Sequence, residues 1–67
     1  MKIFCERLKE LRLEKGLSTI EVAKAIDVSY TSIIRWEKEE RIPSIEQLKA
    51  LAIFFKVSSD YLLGLED

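Results

Sequence analysis

The apolar residues of this chain recur at intervals of three and four positions, with charged and polar residues between them. That spacing puts apolar side chains on one face of an α-helix, whereas a half-buried strand would alternate them at every second position. Glycine and proline, the residues that most often interrupt helices, stand only at Gly16, Pro43 and Gly64. The pattern therefore predicts an all-α chain with short connections.

The first part of the chain predicts two helices separated by a tight turn. The first helix spans about residues 2–15, and Gly16 follows as a stop, because glycine readily takes the left-handed conformation that ends helices. Ser18 stands three residues before Glu21, the spacing of a capping box, so a second helix begins there and ends near Ile26. The apolar stripes are Ile3, Phe4, Leu8 and Leu11 in the first helix and Ile20, Val22, Ala23 and Ile26 in the second.

A short corner follows and leads into a third helix. Asp27 can take the left-handed conformation more readily than a branched residue, and Ser29 can cap a helix from Tyr30 to about Lys38. One face of this helix is predicted to point inward and the other outward. The inward residues are Val28, Ile33 and Trp36, and the outward residues are Tyr30, Thr31, Ile34, Arg35 and Lys38.

The outward face of the third helix is unusual, because solvated faces usually carry lysine and glutamate. It offers a phenol, a hydroxyl, a branched aliphatic side chain and a guanidinium. Such groups suit the major groove of DNA, where arginine can donate twice to guanine, hydroxyls can donate or accept, and aliphatic surface can meet a thymine methyl group. Tyr30 and Ile34 could equally form a small apolar patch that packs on the fourth helix or on a partner chain.

A fourth helix follows the loop that contains Pro43, which cannot continue a helix. Ser44 precedes Gln47 in a second capping-box spacing, and the helix is predicted to end near Phe55. Its apolar stripe is Ile45, Leu48, Leu51, Ala52 and Phe55.

A fifth, short helix is predicted near the C-terminus. Ser58 or Ser59 would cap it and Gly64 would stop it, leaving residues 65–67 as a frayed tail. All five helices contribute to the predicted core, which is Phe4, Leu8, Leu11, Leu17, Val22, Ala23, Ile26, Val28, Ile33, Trp36, Ile45, Leu48, Leu51, Ala52, Val57, Tyr61 and Leu62.

Composition narrows the class of protein. The 67 residues suit one small domain, residues 1–67, held together by hydrophobic packing, because Cys5 is the only cysteine and cannot form an intrachain disulfide. The absence of histidine excludes a Cys/His zinc set and the commonest general base. With no glycine-rich phosphate loop or nucleophile elbow either, we expect a binding protein rather than an enzyme, without metal, cofactor or small-molecule ligand.

Cellular location follows from two further observations. No apolar run approaches the roughly 18 residues that a membrane span requires. The opening stretch "MKIFCERLKE" lacks the apolar segment and cleavage site of a signal peptide. We therefore expect a soluble, cytoplasmic protein that does not associate with a membrane, in which Cys5 is a small, partly buried residue rather than a reactive thiol.

Together these segments resemble the lambda-repressor-like helix-turn-helix family, of the Cro/CI or XRE type. The resemblance covers nearly the whole chain, from "RLKELRLEKGLS" through "EVAKAIDVS" and "TSIIRWEKEERIPS" to "LKALAIFFKVSSDYLLG". It implies a compact five-helix bundle whose second and third helices form the helix-turn-helix, with the third lying in the major groove. It also implies sequence-specific binding to a double-stranded DNA operator by a transcriptional regulator, of which repressors are typical.

The resemblance assigns roles to individual positions. The positions that read bases in the family fall on Ser29, Tyr30, Thr31, Ile34 and Arg35. The positions that contact the DNA backbone fall on Thr19, Lys38 and Arg41.

The resemblance also implies that Glu37 pairs internally with Arg12, which would neutralise one acid in the run that ends the third helix. The alternative is that both are unrelated solvated charges. Three positions depart from the family pattern: Thr19 replaces a common glutamine, Asp27 a common turn glycine, and Glu39 a common glycine after the third helix. We expect Thr19 and Glu39 to weaken the grip on phosphate, and Glu39 to make the exit from the third helix less sharp.

The charge of the chain supports DNA binding less strongly than the apolar pattern supports the fold. The formal net charge is −1, and the first 41 residues carry nine basic and eight acidic side chains. Such a balanced chain should bind random DNA poorly and depend on placed contacts and on dimerisation. Leu63 and Leu65, near the C-terminus, are the predicted homodimer contacts, although they could simply be exposed at a frayed end. A second function remains open, that of a protein-binding helical module such as an antitoxin or adaptor.

Overall fold

The computed structural model describes residues 2–66, and all of its regular secondary structure is helical. The five helices are α1 (Lys2–Glu14), α2 (Thr19–Ile26), α3 (Tyr30–Glu37), α4 (Ile45–Phe55) and α5 (Ser59–Leu63). The predicted all-α fold is confirmed, with helix boundaries that agree to within about a residue. None of the helices described is long and apolar enough to cross a membrane.

Serine hydroxyls cap the first turns of three helices. The Glu21 N–H donates to the Ser18 hydroxyl at 3.1 Å, and the Ser18 N–H donates to the Glu21 carboxylate at 2.9 Å, which completes the capping box predicted for α2. Ser44 and Gln47 form the equivalent box at α4, and the Ser58 hydroxyl accepts a backbone N–H in the first turn of α5. Hydrogen bonds from Ser18, chiefly from its backbone, lower the pKa of the Glu21 carboxyl.

The start of α3 differs from these three. Ser29 occupies the N-cap position, but its hydroxyl makes no cap hydrogen bond and lies 2.9 Å from Thr31 Oγ1 and 3.2 Å from Ser32 Oγ. The prediction that the Ser29 side chain caps the third helix is therefore wrong, because two neighbouring hydroxyls compete for it. The backbone carbonyl of Ser29 still accepts the Ser32 N–H at 3.0 Å.

The core draws on every helix. Phe4 and Trp36 meet edge to face, with ring centroids 6.5 Å apart, and join α1 to α3. The buried residues are Phe4, Leu8, Leu11, Val22, Ala23, Ile33, Trp36, Leu51, Ala52, Phe55 and Leu62. Partly buried residues that pack against them are Leu17, Ile26, Val28, Leu48, Phe54, Val57 and Tyr61. The predicted core is thus confirmed except at Ile45, and Phe54 and Phe55 join it.

Three isoleucines assigned to apolar stripes are exposed instead. Ile3 and Ile20 are 47% and 50% exposed, and Ile45 is 86% exposed. Ile45 begins α4 on the same face as Ile53 eight residues later, which is 67% exposed, so the spacing that linked Ile45 to the core placed it on the wrong face. Ile3 packs instead over the end of α5, where a Cβ added to Gly64 would meet its side chain at 2.9 Å.

The C-terminal segment is not frayed where the structure describes it. The Leu65 N–H donates to the Asp60 carbonyl at 2.8 Å. The Arg7 guanidinium donates to the Tyr61 carbonyl and, at 2.7 Å, to the Glu66 carbonyl, and it also stacks on the Tyr61 ring at 4.2 Å. The predicted fraying is therefore wrong for residues 65 and 66, while Asp67 lies outside the described residues.

The packing of α4 generates a stability prediction. Leu51 is fully buried, so Leu51→Ala should lower the free energy of unfolding by about 2–5 kcal/mol. Ile53→Ala is the matched control on the same helix and should change it by less than about 0.5 kcal/mol, because that side chain is already in water. Urea denaturation followed by circular dichroism measures both. Equal destabilisation by the two variants would contradict the orientation of α4.

Candidate nucleic-acid interface

A three-residue corner joins α2 to α3 and sets their relative orientation. Asp27 ends α2 in the left-handed conformation, with φ of 59°, as predicted. The Val28 N–H donates to the Ala23 carbonyl at 3.0 Å, and this bond closes the turn. Ala23 is buried, and its small side chain lets the two helices pack closely. Two helices joined by so short a turn have the geometry of a helix-turn-helix.

The outer face of α3 carries the polar side chains that the sequence places there. Thr31, Arg35 and Lys38 are exposed, Tyr30 is 51% exposed, and Ile34 is half-buried. The exposure of Tyr30 argues against the alternative that it packs on α4. Ile33 and Trp36 lie on the opposite face and are buried, so α3 is fixed with its hydroxyls, phenol and guanidinium directed at solvent.

A polar notch lies beside this face. Its volume is about 100 Å³, and its lining includes Ser32 and Trp36 of α3, Arg41 and Ile42 of the following loop, and Gln47 of α4. Arg41 is exposed there, next to the first turn of α4. A guanidinium is a group that suits a phosphate, because it can donate two parallel hydrogen bonds.

The other residues that the resemblance predicts to contact the DNA backbone lie at helix ends. Thr19 is the first residue of α2 and is half-buried, while Lys38 caps the C-terminus of α3 and is exposed. Lys38 and Arg41 therefore flank the loop after α3, with the exposed acids Glu39 and Glu40 between them. The local charge of this loop is close to zero.

Arg12 and Glu37 form a two-pronged ion pair. Arg12 Nε donates to Glu37 Oε2 at 2.7 Å, and Arg12 Nη2 donates to Glu37 Oε1 at 3.0 Å. The third guanidinium nitrogen donates to the Leu17 carbonyl at 3.0 Å. The two side chains are 13% and 10% exposed, and the hydrogen bond to Glu37 raises the pKa of Arg12. These are not unrelated solvated charges, because one guanidinium joins α1, the following turn and the end of α3.

The chain leaves α3 through a left-handed residue that is not glycine. Glu39 has φ of 62°, and the Glu40 N–H donates to the Arg35 carbonyl at 2.9 Å. The exit is therefore as tight as glycine would make it, contrary to the expectation of a less sharp turn. The left-handed conformation costs a side chain about 1–2 kcal/mol, which the surrounding hydrogen bonds must offset.

Other chemistry is sparse in residues 2–66. They contain no group of three or more histidine, cysteine, aspartate or glutamate side chains placed to hold a metal ion. Cys5 is partly buried, and that burial, followed by the negative charge of Glu39, raises the pKa of its thiol. A raised pKa reduces the thiolate fraction and with it the reactivity of the cysteine.

Sequence reasoning missed two features. Arg7 was not singled out, because its partners are carbonyls more than fifty residues away, which side-chain periodicity does not reveal. An apolar groove along α4 was also missed, because Ile45 was placed in the core. Its signal was the pairing of Ile45 with Ile53 at a spacing of two helical turns.

The helix-turn-helix family matches residues 8–62, and the chain belongs to this family, in its lambda-repressor-like, Cro/CI or XRE type. The HTH-type transcriptional activator BcrR of Enterococcus faecalis is 39% identical over 64 residues, which cover 96% of this chain and 31% of BcrR. The uncharacterized regulator YobD of Bacillus subtilis (strain 168) is 35% identical over 65 residues, covering 97% of this chain and 58% of YobD. This chain thus spans only part of the length of both relatives.

A solved structure resembles the fold closely. The crystal structure of the P22 c2 repressor in complex with a synthetic operator superposes with a TM-score of 0.87 at 31% sequence identity, covering 92% of this chain and 94% of that one. The predicted lambda-repressor-like bundle is confirmed by this similarity.

The ion pair generates a second prediction. Because both side chains are largely buried, Arg12→Met or Glu37→Leu alone leaves an unmatched charge and should cost about 3–5 kcal/mol of stability. The double variant should cost less than the sum of the two, by on the order of 1 kcal/mol or more. Urea denaturation of all four proteins measures this coupling. Lys9→Met and Glu10→Leu, at exposed positions, are the additive control. Additivity at Arg12 and Glu37 as well would show that the pair does not stabilise the fold.

Proposed function

We propose that the protein is a transcriptional regulator, of the repressor kind, that binds a specific double-stranded DNA operator. The observation that carries this proposal is the outer face of α3, where exposed hydroxyl, phenol and guanidinium groups lie on a helix fixed from behind by buried Trp36 and by Glu37. The similarity to named transcriptional regulators and to a repressor bound to its operator supports it. We propose no catalytic role, metal, cofactor or small-molecule ligand.

Base reading falls to the first turns and the middle of α3. Arg35 can donate two hydrogen bonds to a guanine, and the hydroxyls of Ser29 and Thr31 can donate to or accept from a base edge. Tyr30 can do the same through its phenol. The half-buried Ile34 presents a small aliphatic surface that suits a thymine methyl group.

Phosphate contacts would position the helix in the groove. Lys38 and Arg41 lie exposed on either side of the loop after α3, and Thr19 is the first residue of α2, at a helix end that favours anions. Glu39 and Glu40 lie between the two cations and repel phosphate. With a net charge of −1, the chain would gain little affinity for random DNA, so its selectivity would depend on the contacts of α3.

We also propose that the regulator acts as a homodimer on a roughly palindromic operator. One recognition helix contacts too few base pairs to select a site in a genome. Leu63 and Leu65 are 37% and 73% exposed and form the proposed contact. A two-fold axis would set the recognition helices about 34 Å apart, one turn of DNA.

Operator binding would place the protein in the cytoplasm, a reducing compartment that suits a free cysteine.

Two substitutions on α3 and its C-cap test the reading of DNA. Arg35→Ala should lose about 1–3 kcal/mol of discrimination at one operator position, because a base contact is removed. Lys38→Ala should weaken binding to all sequences alike and reduce the salt slope by about 1. Gel-shift titrations against an operator and random DNA at two salt concentrations separate these effects. A wild type without preference for any sequence at either salt concentration would favour the protein-binding module.

The dimer has its own test. Leu65→Glu should weaken two-fold assembly at least about tenfold, because it places a charge in an apolar contact. Leu13→Glu introduces the same charge at a 58% exposed leucine on α1 and is the matched control. Sedimentation with operator DNA should show two wild-type or Leu13→Glu chains per operator and a weakened complex for Leu65→Glu. Equal assembly by all three proteins would mean that Leu65 is simply an exposed residue.

A further inference from the structure

An apolar groove runs along α4 and the corner that leads into α5. Its volume is about 470 Å³, and Val57 and Ser59 lie at its α5 end. Ile45 and Ile53 line it although they are 86% and 67% exposed, an arrangement that monomeric proteins usually avoid. The same face therefore has apolar surface that the fold itself does not cover.

The charged residues that line this groove are both basic. Lys49 and Lys56 lie on α4 and at its C-terminal cap, and no acidic side chain is among the lining residues. A segment that fits here should therefore carry an apolar side chain with acidic residues beside it.

The C-terminal segment has this chemistry and is held in place. Leu65 is 73% exposed, with Asp60 and Glu66 close to it in the chain. The Leu65 N–H is bonded to the Asp60 carbonyl, and Arg7 donates to the Glu66 carbonyl, so the segment is already ordered against α1 and α5. A segment whose backbone is already ordered loses less conformational entropy when it binds.

The groove and the C-terminal segment adjoin on one surface. The Ser58 hydroxyl donates to the Glu66 carboxylate, and Ser58 stands between Val57 and Ser59 at the end of the groove. One half of this surface is concave, apolar and basic, and the other half presents an apolar side chain beside acids. A two-fold rotation near Ser58 would place each half on its complement in a second copy.

We propose that two copies of this chain associate by inserting Leu65 of each into the α4 groove of the other. The acids Asp60 and Glu66 then approach Lys49 and Lys56 across the interface. The inference rests on the proposed homodimer and names the surface that receives its leucine contacts. Leu65 does not line the groove of its own chain, so the groove is open to a second copy.

Complementation between two variants tests this arrangement. Ile53→Glu alters only the groove and Leu65→Glu only the inserted side chain, and both positions are exposed, so the fold should survive, as circular dichroism will verify. Each variant should self-associate at least about tenfold more weakly than wild type, because it retains neither of its two identical contacts. A mixture of the two retains one intact contact per pair, so hetero-association should be tighter than either self-association.

Sedimentation equilibrium with one fluorescently labelled variant measures these constants. Ile53→Glu could self-associate as tightly as wild type while Leu65→Glu does not. The C-terminal segments would then pair with each other, which would refute insertion into the groove but not the homodimer. A mixture that associates no better than its components would also overturn it, as would wild-type species that grow beyond dimers. A wild type that stays monomeric even on operator DNA would refute the dimer and the groove together.

Discussion

The two-pronged contact between Arg12 and Glu37 is the constraint on which the position of α3, the proposed recognition helix, depends. α3 has only eight residues, too few for a stable helix in isolation, and it lacks a side-chain cap at its start. Its inner face is held by the burial of Ile33 and Trp36, and its last turn by the Arg12 guanidinium, which also binds the turn before α2. Because both charges are largely buried, they persist only as a pair.

This arrangement accounts for the proposed DNA-reading surface on a chain that is nearly neutral. Glu37 lies in the acidic run at the end of α3, but its charge is neutralised by Arg12 within the domain. Glu39 adopts the left-handed conformation at which the chain leaves α3, and Lys38 beside it is exposed. Affinity in such a protein comes from a few placed groups rather than from a strong positive field. A second copy then becomes the natural source of additional contacts, and the exposed apolar surface of α4 and Leu65 is consistent with that need.

Features of the fold that depend on neighbouring residues could be predicted from the sequence. Helix ends, two capping boxes and the left-handed Asp27 depend on residues within a few positions of each other, and all were predicted. The predicted side-chain cap at Ser29 is absent because the hydroxyls of Thr31 and Ser32, only two and three residues away, compete for the Ser29 hydroxyl. The placement of Ile45 in the core was wrong because its spacing from later apolar residues fits either of two helix faces. Only tertiary packing decides which of the two faces is buried. The Arg7 contacts with the C-terminal segment join distant parts of the chain, for which one sequence offers no local signal.

Selection of bound sites from a random pool of double-stranded DNA is the sharpest test of sequence-specific binding by α3, because it requires no knowledge of the operator. We expect enrichment of two related half-sites in inverted orientation, with centres about 10 base pairs apart, and a guanine preference that disappears in Arg35→Ala. Recovery of unenriched sequences by folded protein, at low as well as moderate salt, would contradict it.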